Sequence, residues 1–76
     1  MQDVQYQPKP AAFGQWLLGQ AHSDGWVGDL ARAAKHDPRF PKQGDPEAVR
    51  ARLRELGADG DAFQAIDDAE MDWLSY

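Results

Sequence analysis

Cysteine is missing from this 76-residue chain. Disulfide staples and thiolate metal sites are therefore excluded, and the composition suits a reducing compartment. No apolar run approaches the roughly 20 residues a membrane-spanning helix requires. The opening, Met1-Gln2-Asp3-Val4-Gln5-Tyr6, has neither the basic nor the apolar region of a signal peptide. These absences predict a soluble cytoplasmic protein with no membrane partner. Serine is confined to Ser23 and Ser75, neither in a nucleophile setting. Histidine is confined to His22 and His36, which lack metal-ligand spacing. The glycines form no phosphate loop. The segment from Asp59-Gly60-Asp61 to Glu70 has the length of a calcium loop. However, Phe63 takes the fifth position and Gln64 the sixth, where an oxygen ligand and a glycine are required. No catalytic residue, metal or cofactor is expected, and a core this small leaves little room for an enzyme's cleft.

Lysine and arginine are also absent from the last 22 residues, which carry seven acids. The net charge of −5 is therefore uneven. Residues 1–31 set Lys9 against Asp3, Asp24 and Asp29, a balance of −2. Residues 32–54 set Arg32, Lys35, Arg39, Lys42, Arg50, Arg52 and Arg54 against Asp37, Asp45 and Glu47, a balance of +4. Two patches of opposite sign, at opposite ends of a small body, are one expectation from this order.

What is present is helical punctuation. Residues 1–10 are polar, hold Pro8 and Pro10, and read as a flexible tail; residues 11–76 read as one helical domain. Pro10 suits the start of a first helix over about 11–20, with Phe13, Trp16, Leu17 and Ala21 on one stripe. Gly14 and Gly19 weaken that helix by about 1 kcal/mol each relative to alanine. After the turn 22–25, Ser23 or Asp24 can cap a second helix ending before Pro38. Val27, Leu30, Ala31 and Ala34 form its buried stripe. Phe40 sits between Pro38 and Pro41, as a plug for one end of the core. Asp45-Pro46-Glu47 opens a third helix with Val49, Leu53 and Leu56 inward, stopped by Gly57. Asp61 and Gln64 have capping-box spacing for a fourth. Its inner face holds Ala62, Ile66, Ala69 and Trp73, with Phe63, Glu70 and Leu74 beside it. No segment alternates with the period of a strand. The fold class expected is all-α, four short helices around one core.

Four short motifs carry a resemblance. They are Phe13-x-x-Trp16-Leu17, Gly28-Asp29-Leu30-Ala31, Asp37-x-x-Phe40-Pro41-Lys42 and Trp73-x-x-Tyr76. Over about Phe13 to Tyr76 the chain resembles the YozE SAM-like family of small bacterial proteins. The loop motif is the most specific of the four. The resemblance implies a small four-helix bundle of orthogonal type, similar to sterile alpha motif domains, and implies no activity. The chain departs from the family pattern near Glu70-Met71-Asp72, where the last helix is longer before its tryptophan.

The residues then point to an interaction surface. Trp26 lies off the core stripe of its helix, and exposed tryptophan is a common interface anchor. Arg32, Lys35, Arg39, Lys42, Arg50 and Arg54 are candidates for a basic face. Asp67, Asp68 and Asp72 are candidates for an acidic one. The expected function is a non-catalytic protein–protein interaction module, with either a different protein partner or a second copy joined head-to-tail. The alternative is nucleic-acid binding through the Arg32–Arg54 region, set against the acidity of the whole chain. A third reading makes the C-terminal helix an acidic mimic of a phosphate backbone.

Overall fold

Aspartate and proline open the third helix and glycine closes it. The computed structural model describes residues 12–75; the expected tail over 1–10 and the Tyr76 end of the last motif lie outside the described residues. Those described form four helices and no strand: α1 Phe13–Leu18, α2 Gly25–Lys35, α3 Pro46–Leu56 and α4 Gly60–Leu74. The start of α3 follows the sequence expectation. Asp45 is extended, its Oδ1 accepts from the Ala48 N–H at 2.9 Å, and Pro46 is the first helical residue. At its end Gly57 adopts a left-handed φ of 70°. The Gly57 N–H donates to Arg54 and the Ala58 N–H to Leu53, which satisfies two terminal carbonyls.

Three expectations change. α1 covers only Phe13–Leu18, because the chain turns at Gly19 and continues as turns to His22. α2 has Asp24 at its N-cap position, but no side chain caps it. α4 begins at Gly60, one residue before Asp61. Its cap is Asp59, whose Oδ1 accepts from the Ala62 N–H at 3.3 Å. The Asp61–Gln64 capping box is therefore replaced, and Asp61 lies inside the first turn.

The core holds Phe13, Leu17, Leu30, Ala31, Ala34, Phe40, Val49, Leu53, Ala65, Ile66 and Ala69. Phe13, Leu17, Val49 and Ile66 are fully enclosed; each such burial stabilises by about 1.5–3 kcal/mol. Trp16 and Trp73 flank Phe13, with ring centroids 5.9 and 5.5 Å away, the second edge-on. α4 packs against the other three helices. Leu56, expected on the inward stripe of α3, is instead more than half exposed, as is Leu74, expected beside the inner face of α4.

The loop from Asp37 to Gly44 is two successive turns. The Phe40 N–H donates to the Asp37 carbonyl and the Gly44 N–H to that of Pro41. The first turn drives Phe40 into the core. The second lies on α1, where the Gly14 N–H donates to the Gly44 carbonyl at 3.0 Å. A Cβ on Gly14 would overlap the Pro41 carbonyl oxygen and stand 2.9 Å from that of Lys42. The glycine that weakens α1 as a helix is thus what lets the loop dock.

Candidate functional site

The arginines divide by what holds them. Arg32 bends back over the turn before its own helix. Its Nη1 donates to the carbonyls of Ala21 (2.6 Å) and Ser23 (3.3 Å), and its Nη2 pairs with Asp29. Gly28, one turn earlier, admits the same Ser23 carbonyl group, whose carbon lies 2.6 Å from where a Cβ would stand. Arg50 reaches from α3 to α4, pairing with Glu70 at 2.7 Å, Asp67 at 2.8 Å and Glu47 at 2.7 Å. Its side chain is only 17% exposed. Glu70 foremost, against the opposing effect of burial, drives its pKa above the usual guanidinium value.

Arg52 makes the most enclosed ion pair. Its Nε and Nη2 each lie 2.8 Å from an Asp37 oxygen, a forked geometry with side-chain exposures of 15% and 10%. Asp37 Oδ1 also accepts from the Arg39 N–H at 3.0 Å. The Arg52 hydrogen bonds and then that backbone N–H lower the Asp37 pKa from 3.8 to about 2. The Asp37-x-x-Phe40-Pro41 motif therefore builds the loop: the carboxylate anchors it to α3, and the aromatic fills the core.

The Arg50 pairs join one residue of the expected basic face to the acidic C-terminal helix. α3 packs against α4, so Arg50 meets two of the carboxylates from the acidic C-terminal segment. The charges are partly neutralised along that seam. Arg32 and Arg50 leave the basic face because their guanidinium donors are engaged within the fold. Lys35, Arg39, Lys42 and Arg54 are exposed, and none makes an ion pair among the described residues. Of the acids, Asp67 is held by Arg50, and Asp68 is exposed on α4. Asp72 lines an open hollow of about 300 Å³ with Trp16, Gln20 and Ser75.

Trp26 is where the sequence reading and a surface feature meet. It is 50% exposed and borders a groove of about 290 Å³ between α2 and α4. The other walls are Asp29, Leu30, Ala33, Asp61, Ala62 and Ala65. The groove exists because three of these residues are alanines, where larger side chains would close the helix–helix seam. Its apolar floor is bordered by carboxylates, and no lysine or arginine lines it. The sequence held a signal for half of it. Trp26, Asp29, Leu30 and Ala33 follow i, i+3, i+4, i+7, a second stripe beside the core stripe. Asp61, Ala62 and Ala65 give no comparable sign of facing a groove.

Four short helices around one core, with no strand among the described residues, define a small all-α protein of SAM-like type. The sequence model of the YozE SAM-like fold matches residues 12–76, and the chain belongs to that family. No curated protein and no solved structure matches it. No helix among the described residues is long and apolar enough to cross a membrane.

Proposed function

We propose that this chain is a non-catalytic protein–protein interaction module whose recognition face is the α2–α4 groove. One observation carries the reading: Trp26, a large apolar side chain, stands half in solvent beside an alanine-floored depression. Exposing an indole costs hydrophobic free energy, and a half-exposed tryptophan at the edge of an apolar hollow is the usual form of an interface anchor. The groove is open and lies at the lower end of small-molecule pocket sizes, ~300–1,000 Å³. It accommodates one or two side chains of a partner better than an enclosed substrate. The basic residues favour nucleic acid less, since Arg32 and Arg50 are engaged with carbonyls and carboxylates.

The test is affinity capture with three forms of the full chain: wild type, Trp26→Ala and Ala33→Leu. Trp26→Ala removes the anchor. Ala33→Leu fills the groove from an exposed position and leaves the core untouched. The expected result is a protein partner retained by wild type, lost with both variants, and bound again when the two purified proteins are mixed. A partner retained equally by all three forms would overturn the reading. Sedimentation of wild type alone identifies the case in which that partner is a second copy.

A further inference from the structure

We infer that the occupant of the α2–α4 groove is a cationic amphipathic helix, with apolar side chains on the alanine floor and lysines or arginines over its rim. The inference rests on the groove being a recognition face, as proposed above, and adds the chemistry of its partner. Three observations support it.

The first is charge complementarity. The polar residues of the groove are Asp29 and Asp61 alone. Asp29 is shared with Arg32 on an exposed part of α2, but the Asp61 carboxylate makes no hydrogen bond or ion pair among the described residues. With a net charge of −5 on the whole chain, a basic partner is attracted and an acidic one repelled before contact. The second is shape. Trp26, Leu30, Ala33, Ala62 and Ala65 form an apolar trough between two helices, the kind of surface that receives a pair of anchors spaced i, i+3 or i, i+4 along a helix. The third is the backbone. The described residues contain no strand, so they offer no sheet edge for an extended peptide, and recognition must run through side chains.

The experiment is calorimetric titration of the full chain with three synthetic helical peptides identical in their leucines. One carries lysine at the flanking positions, the second glutamine and the third glutamate. The lysine peptide is expected to bind most tightly, the glutamine peptide several-fold more weakly and the glutamate peptide weakest, with the spread narrowing in high salt. Trp26→Ala is expected to weaken the lysine peptide by more than about 10-fold. Asp61→Asn is expected to weaken it by about 2–5-fold and to reduce its salt dependence. Circular dichroism and a thermal melt of each variant separate lost binding from lost folding. Equal affinity for all three peptides overturns the charge assignment; if Ala33→Leu still abolishes binding, the groove stands as a recognition face. Failure of the lysine peptide to bind also overturns the inference. Variant-dependent capture of another protein would then leave the proposed function in place, and its absence would remove both.

Discussion

Gly14 is a position where one methyl group has no room. By helix propensity alone, alanine there should stabilise α1 by about 1 kcal/mol. The Pro41 and Lys42 carbonyls oppose it, since an added Cβ has no space beside them. Gly14→Ala is predicted to destabilise the protein by about 1–3 kcal/mol, the range for overpacking. Gly60, whose added Cβ meets nothing within 4 Å, is the control. Urea unfolding of Gly14→Ala and Gly60→Ala should place them on opposite sides of, or clearly apart from, wild type; coincident midpoints contradict the docking role of Gly14. Asp37 gives a second prediction at this scale. Its folded pKa, about 2, lies below its usual 3.8, so the folded state favours the carboxylate. The stabilisation is fully present above the usual value and is lost as the pH falls from about 4 through about 2. Thermal melts across that window should show wild type losing stability more steeply than Asp37→Asn. Parallel curves would show that the Arg52 fork contributes nothing.

At the scale of the helix, aspartate caps mark where α3 and α4 begin. α3 starts where Asp45-Pro46-Glu47 says it should, because three local preferences agree there. α4 starts two residues earlier than the Asp61–Gln64 spacing indicates, because Asp59 is extended and its carboxylate accepts from the Ala62 N–H. Asp59→Ala is therefore predicted to cost about 1 kcal/mol. Asp61→Ala should remain within about 0.5 kcal/mol of wild type, and the reverse order in a denaturation series would restore the capping box. The apolar stripes were legible where the partner helix covers the whole face, as for Phe13, Leu17, Leu30, Ala31 and Ile66. They misled at Leu56, near the C-terminal end of α3, whose side chain stays exposed. Ala65 escaped notice because a single alanine carries little periodic signal, yet it is buried against the core.

Across the whole molecule, charge order along the sequence proved a poor guide to charge placement in space. The basic middle and acidic end are separate in sequence, but α3 and α4 lie side by side. Arg50 therefore spends its donors on Glu47, Asp67 and Glu70. Tertiary pairing of this kind has no local signature, so neither it nor the Asp37–Arg52 fork was legible. Of the groove, the sequence reading singled out Trp26; the stripe Trp26, Asp29, Leu30 and Ala33 carried a further signal that it did not use. The rest depends on how α4 crosses α2. The central claim is that this groove is the protein's recognition face. Its most direct test is a nuclear magnetic resonance titration of the isotope-labelled full chain with the lysine-flanked peptide. The account predicts shifts concentrated at the Trp26 indole and at Ala33, Ala62 and Ala65, with the Lys35–Arg54 surface unmoved. Shifts centred on Arg39, Lys42 and Arg54 would contradict it.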